Sequence, residues 1–285
     1  MRFFSYLKLA RLHQPIGIWL LFLPCLFGAF LSLKKIPNPD LIEILRIVFL
    51  FFIGSILMRS AGCVVNDIFD HKFDKKVART KSRPISSGEI SRSSALIFLG
   101  ILLICGFLVL IQFNFLTVLS GFFALALLTA YPLTKRITYF PQIFLGLTFN
   151  FGILMSSLAI LGNITWESLA LYFCSMIWTL IYDTIYAFQD IEDDLKIGVK
   201  SAAIKFKNNP KTILIALSFL MFFGLALLGW YCEFRSGFFF AILASSLYLD
   251  HKIKNCNFKN QKNCLAVFKA NAWIGVLILI AIILG

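Results

Sequence analysis

Charge is what this sequence has least of. Only 14% of the 285 residues are Asp, Glu, Lys or Arg, against about 25% in soluble globular domains. A further 59% are hydrophobic and the mean hydropathy is +0.85, a balance that excludes a water-soluble fold. Acidic residues are the scarcer sign, 14 against 27 basic, which leaves a net charge of +13. Nucleic acid is one partner such a charge can imply. The basic residues are, however, divided among separate loops, and attraction to anionic lipid and to phosphate-bearing groups accounts for them more simply. Histidine is nearly absent, and His13, His71 and His251 form no ligand set. The seven cysteines contain no CxxC pair and fall mostly inside apolar stretches, so neither a zinc site nor a disulfide framework is expected. Low-complexity segments and soluble domains are missing as well.

What is present is a repeated apolar run of the length that crosses a bilayer, roughly 20 residues. Nine spans are expected, at Ile16–Leu33, Leu41–Val65, Ala95–Ile111, Leu116–Tyr131, Pro141–Leu161, Leu169–Ala187, Thr212–Trp230, Gly237–Leu249 and Leu265–Leu284. The eighth is short if it stops at Leu249. The first has no small-residue cleavage site and reads as a retained span rather than a signal peptide. The fold class is therefore an all-α integral membrane protein, a bundle of about nine transmembrane helices forming one domain over residues 1–285. Basic residues give its orientation, because cytoplasmic loops are enriched in Lys and Arg. If the spans alternate, 22 of the 27 basic residues fall on one side and only Lys34, Lys35, Arg46 and Arg235 on the other, with Arg59 inside a span. That places the N-terminus in the cytoplasm and the C-terminus outside.

Two segments concentrate the few acids. In NDIFDHKFD, Asn66, Asp70 and Asp74 recur every four residues, so a helix puts them within about 80° of one another. Three oxygen donors on one face suit magnesium, which commonly takes one or two carboxylates together with substrate phosphates; a solvated helix end is the plainer alternative. Asp67 lies off that face. In DTIYAFQDIEDD, Asp183, Tyr186, Asp190 and Asp194 are spaced by three and four, again on one helical face. Asp183 falls within an apolar span, where an ionisable residue is expensive and points to function, or to a partner within the bundle. The two segments sit at matching ends of helices four spans apart, as in an internal duplication.

Cations accompany both clusters. Arg59, seven residues before Asn66 on the same face, either binds a substrate anion or neutralises a carboxylate such as Asp183. VARTKSRP supplies Arg79, Lys81 and Arg83, whose guanidinium groups match phosphate geometry. Lys135 and Arg136 follow Tyr131-Pro132. Either run can also be an ordinary positive-inside loop. The 32 phenylalanines fit a tunnel for an isoprenoid tail or simple packing.

Taken together, RLHQPIG (Arg11–Gly17), LMRSAGCVVNDIFDHKFD (Leu57–Asp74), ARTKSRP (Ala78–Pro84), YPLTKRITYFPQ (Tyr131–Gln142) and YDTIYAFQDIEDDLKIGVKS (Tyr182–Ser201) resemble the intramembrane aromatic prenyltransferases, most of all those that prenylate 4-hydroxybenzoate in ubiquinone biosynthesis. The resemblance implies a nine-helix bundle around a lipid-accessible central cavity in a bacterial inner membrane. It carries over Asp70/Asp74 and Asp190/Asp194 as the two magnesium-holding pairs, with Asn66 at the first motif position. Polyprenyl diphosphate, a small aromatic acid and membrane lipid are the implied partners, without nucleic acid. Arg79, Arg83 and Lys135 would stabilise the leaving diphosphate beside the four aspartates, while Arg59, Arg136, Asp183 and Tyr186 would contact substrate. Related enzymes prenylate other quinone precursors or haem, so the acceptor stays open. A magnesium-dependent transporter would need a polar route to the opposite face, and a terpene cyclase or diphosphate hydrolase would need no aromatic acceptor.

Overall fold

A computed structural model describes residues 2–75, 77 and 79–285, with the side chains of Arg2, Phe73, Lys135 and Ile197 outside the description. The described chain is helical and turn-linked throughout. A short amphipathic helix α1 (Arg2–Leu9) precedes α2 (Ile16–Leu33) and the long α3 (Leu41–Asp74). Then follow α4 (Arg92–Leu110), α5 (Phe115–Ile137), α6 (Pro141–Phe149), α7 (Phe151–Leu161) and α8 (Trp166–Ala187). Two small helices, α9 (Ile191–Ile197) and α10 (Ala202–Phe206), lead into α11 (Pro210–Tyr231), α12 (Ser236–Lys254) and α13 (Gln261–Leu284). Side-chain caps mark several helix starts: Ser91, Asn114, Thr165 and Asn260 each accept from the backbone N–H three residues on.

Among the described residues, eight segments are long and apolar enough to cross a membrane, α6 and α7 counting as one from Pro141 to Leu161. The eighth expected span, which is not among them, corresponds to α12, which runs to Lys254 rather than stopping at Leu249. Its 19 residues reach roughly 28 Å at 1.5 Å per residue, but Asp250, His251, Lys252 and Lys254 make its last turns polar. It still belongs to the bundle, packing between α11 and α13 and burying Phe238, Ile242 and Leu249.

The core lies on one side of the molecule, where α2, α7, α8, α11, α12 and α13 bury Phe27, Trp178, Ile181 and Tyr182 completely or nearly so. Apolar lipid gives helices no hydrophobic reason to associate, so close approach and internal hydrogen bonds must hold them. Gly28 supplies the approach, since a Cβ there would come within 2.7 Å of the Ile153 Cα on α7. The bonds include Trp178 Nε1 to Asn271 Oδ1 at 3.0 Å and Ser156 Oγ to the Cys25 carbonyl at 2.8 Å. Between α6 and α7 the helix breaks at Asn150, whose side-chain amide donates to Gly146 O and Thr179 Oγ1, both at 2.8 Å.

On the other side the helices are loosely gathered. Only 11% of the apolar stretch of α4 or of α5 is buried, against 61% for α2 and α8. α4 leans on α3, and α5 on α6 and α7. Between these and α2 a cavity of about 1220 Å³ opens, larger than the usual 300–1,000 Å³ of small-molecule sites. α3 has 34 residues and extends roughly 51 Å, well beyond the approximately 30 Å hydrocarbon layer. Its final turns therefore carry the acidic segment to the cavity mouth.

Candidate active site

Along the end of α3, Asn66, Asp70 and Asp74 line the cavity as their helical spacing predicts, and Asp67, which that spacing set off the shared face, lines it as well. Asp67 is 1% exposed and is held by two cations: Arg11 Nη2 at 2.7 Å and Arg83 Nη1 at 3.2 Å from the same oxygen. Arg83 Nη1 also donates to Asp74 Oδ2 at 2.7 Å, and Thr80 Oγ1 donates to the Asp74 carbonyl at 3.0 Å. The loop after α3 thus folds back onto the acids from which it emerges. Arg11 adopts φ +57°, a left-handed backbone uncommon outside glycine, in the turn that aims its guanidinium at Asp67.

The second cluster departs from the single helical face expected for it. α8 ends at Ala187, and Gln189 N and Asp190 N bond three residues back, to Tyr186 O and Ala187 O, the tighter pattern common at helix ends. The chain restarts as α9 with Asp190 as its N-cap residue. At this break Phe188 is buried in the core against Phe258, ring centroids 4.7 Å apart. Asp183, Tyr186, Asp190 and Asp194 nevertheless all reach the one cavity. Glu192 is exposed and does not.

Arg79 joins the clusters. It grips Asp190 in a fork, Nε to Oδ1 at 2.9 Å and Nη2 to Oδ2, while Nη1 donates to the Tyr186 hydroxyl at 2.9 Å. Its guanidinium lies over the Tyr186 ring, which in turn rests on Phe268 of α13 at 4.6 Å. Burial disfavours the Arg79 charge, but the bonds from Asp190 and the fields of Tyr186 and Asp74 outweigh it and hold the pKa above the ordinary guanidinium value. Arg83 behaves alike: burial opposes its charge, and Asp67 and Asp74 more than restore it.

Arg59 is aligned with Asn66 as expected, but it forms no ion pair with another described residue. Its Nε is buried without a hydrogen-bond partner among the described residues, and its guanidinium lies 5.6 Å from the Phe149 ring centre. Arg136 lines the cavity rim. Lys135 stands beside it on α5, but its side chain lies outside the described residues. Lys81 is exposed and away from the cavity. Helical spacing gave no sign of Arg11, Gln142 or Ser201 as cavity residues. Each occurs in a segment that carried the resemblance, which was the one signal available for them.

The donor set fits a hard divalent cation. Asn66 Oδ1 is buried without a hydrogen-bond partner among the described residues, a state costly for a polar atom, and it shares the cavity with Asp70, Asp74, Asp190 and Asp194. Among the described residues no three His, Cys, Asp or Glu side chains form a closed ligand group. That suits an ion completed by substrate oxygens better than a structural metal.

Fold and site together define a polytopic helical membrane protein with paired acidic clusters and phosphate-matching arginines at the mouth of an apolar cavity. The UbiA prenyltransferase family profile matches residues 21–282, and the chain belongs to that family. It is 40% identical over 281 residues to the mitochondrial 4-hydroxybenzoate polyprenyltransferase of Drosophila pseudoobscura pseudoobscura, covering 98% of this chain and 70% of that one. Against the enzyme of the same name from Bos taurus it is 42% identical, covering 98% and 75%. A UbiA homologue from Archaeoglobus fulgidus, solved with GPP and Mg2+, superposes with a TM-score of 0.70 at 18% identity, over 96% of this chain and 99% of that one.

Proposed function

We propose that this protein transfers a polyprenyl group from polyprenyl diphosphate to the ring of 4-hydroxybenzoate, ortho to the hydroxyl, in ubiquinone biosynthesis. The observation that carries the reading is the convergence of Arg79 and Arg83 on the carboxylates of both clusters, at the mouth of a large apolar cavity. A diphosphate offers these arginines oxygens of the same geometry. Asn66, Asp70, Asp74, Asp190 and Asp194 are the residues that would hold magnesium. When bound, magnesium supplies positive charge to the leaving diphosphate.

The chain's own residues account for the rest. Arg79, Arg83 and Lys135 bind the diphosphate and stabilise the negative charge that grows as its bond to the allylic carbon breaks. The electron pair leaves with the diphosphate, and the ring carbon ortho to the hydroxyl forms the new bond to the allylic carbon. Loss of the ring proton then restores aromaticity. Arg59 takes the acceptor's carboxylate, and Tyr186, Asp183 and Arg136 complete the substrate contacts. Apolar walls from α4 and α5 receive the tail and keep water from the cation.

On this reading the loops bearing the site face the cytoplasm from a bacterial inner membrane; the one-sided distribution of Lys and Arg supports the orientation, whereas the relatives named above are mitochondrial. Membranes containing the protein, given 4-hydroxybenzoate and a long-chain prenyl diphosphate, are expected to yield a 3-polyprenyl product that disappears with chelator and returns with magnesium. Absence of product from well-folded protein, or full activity in excess chelator, would overturn the assignment.

A further inference from the structure

The cavity has a depth and a floor that the chemistry at its mouth does not explain. Below Asn66, α3 presents Gly62, Met58, Ser55, Gly54 and Phe51 to it in descending order. Two of these are glycines at which a Cβ would be accommodated in ordinary van der Waals contact: on Gly54 it would meet Val109 Cγ1 at 3.9 Å, and on Gly62 Leu128 Cδ1 at 3.6 Å. Glycine weakens a helix relative to alanine. Both line the cavity, where the missing side chains leave the α3 wall smooth. Opposite it, Gly106 and Phe107 of α4 and Gly121 and Leu125 of α5 form the other wall.

The lane between these walls ends at aromatic rings. Phe51 packs at a tilt against Phe113 from the α4–α5 turn, ring centroids 4.8 Å apart. Phe51 is buried in a cluster with Phe22, Cys25 and Ile47, backed by Met155. Two polar ties lock this end. Arg46 Nη1 donates to the Gln112 carbonyl at 3.1 Å, and Asn114 Nδ2 to the Leu158 carbonyl at 2.7 Å. The floor is therefore fixed to α3, α4 and α7 together, while the walls of α4 and α5 above it are loosely packed.

We infer that Phe51 and Phe113 gauge the length of the prenyl tail, with Gly54 keeping open the lane that leads to them. This rests on the prenyltransferase reading above and adds specificity residues remote from the reaction. Gly54 lies twelve residues before Asn66, roughly 18 Å along the helix, so a short geranyl tail ends above it and a decaprenyl tail must pass it. A side chain at Gly54 has room to fold and projects into the lane. Shortening Phe51 or Phe113 lowers the floor.

The full-length protein in lipid nanodiscs tests this in two ways. In competition between geranyl and decaprenyl diphosphate for 4-hydroxybenzoate, Gly54→Leu is expected to lower the decaprenyl-to-geranyl ratio of kcat/KM by about tenfold. Phe113→Ala should raise that ratio, by about threefold. Independently of turnover, a long prenyl diphosphate carrying a terminal diazirine is expected to crosslink at Phe51 and Phe113, and to lose those crosslinks in Gly54→Leu. Unchanged ratios in active variants, or crosslinks confined to the lipid-facing surfaces of α4 and α5, would show that the tail leaves sideways and would overturn the gauge. If the wild type prenylates nothing yet the floor crosslinks remain, the proposed reaction fails and the tail site stands.

Discussion

At the scale of single residues, Arg59 is the side chain least accounted for by the protein's own contacts. It lies within a membrane-spanning helix, its buried Nε has no hydrogen-bond partner among the described residues, and its guanidinium faces the Phe149 ring. A cation at that depth is expensive unless an anion completes it, and the 4-hydroxybenzoate carboxylate is an anion of suitable size and planarity. Gly17 makes the position possible. A Cβ there would overlap Nε and come within 2.8 Å of Cζ, so Gly17 and Arg59 form one device contributed by two helices. Arg59→Ala is expected to raise the KM for 4-hydroxybenzoate at least tenfold, about 1.4 kcal/mol. Arg59→Lys should do less damage, since it keeps the charge but loses the fork. Gly17→Ala should imitate Arg59→Ala by displacing the guanidinium, with the KM for prenyl diphosphate little changed. Steady-state kinetics on each substrate separately would check this. Normal acceptor KM in folded Arg59→Ala would leave the arginine a packing role alone.

At the scale of elements, the decisive feature is the interruption between α8 and α9. One uninterrupted helix would have carried Asp190 and Asp194 on the face of Asp183 and Tyr186. The break instead makes Asp190 the first residue of a new turn, bonded through its carbonyl to Asp194 N at 2.8 Å, and presents its carboxylate to Arg79. Asp190 and Asp194 still share the cavity while Glu192 turns outward. Neutralising either aspartate as Asn should therefore cost about 10²-fold in turnover, or ~2.7 kcal/mol, and Glu192→Gln should cost little. Turnover at saturating prenyl diphosphate, across a magnesium titration and with folded protein matched, would measure it; equal defects in all three variants would defeat this division. The acids themselves were legible in the sequence because four-residue spacing survives wherever a helix does, as on α3. The break was not: it accompanies the packing of Phe188 against Phe258, seventy residues away, which local spacing does not show. The same reason hid the arginine pairing: Arg79 and Asp190 are 111 positions apart, and Arg11 and Asp67 are 56 apart. Apolar length revealed the spans, yet it left α12 marginal because only its packing between α11 and α13 shows that its polar last turns belong to the bundle.

At the scale of the whole molecule, the tightly packed half formed by α2, α7, α8 and α11–α13 supports a loose half that encloses the cavity, and both acidic clusters open at one end of it. That end also carries the basic loops. At the opposite end, Trp166 at the start of α8 and Trp230 and Tyr231 at the close of α11 are 68%, 75% and 60% exposed, as aromatic side chains at a membrane–water boundary are. Lys35 pairs there with Glu167 at 2.8 Å, so part of the small positive charge on that side is neutralised locally. The contrast between ends is thus greater than the count of basic residues alone, and it favours the site end inside. Ser87, exposed in the loop that bears Arg79 and Arg83, reports on the matter without touching the acids. The seven native cysteines are buried or half-buried and unbonded, so small residues can replace them to give a cysteine-free background. Ser87→Cys in that background is expected to react with an impermeant maleimide in inverted membrane vesicles and to stay unlabelled in intact spheroplasts, with prenyl transfer retained as proof of folding. A second probe at Phe234→Cys, in the loop between α11 and α12, should give the reverse pattern. Labelling of Ser87→Cys from outside intact spheroplasts would place the acidic clusters on the outer face and refute the orientation read from the charges.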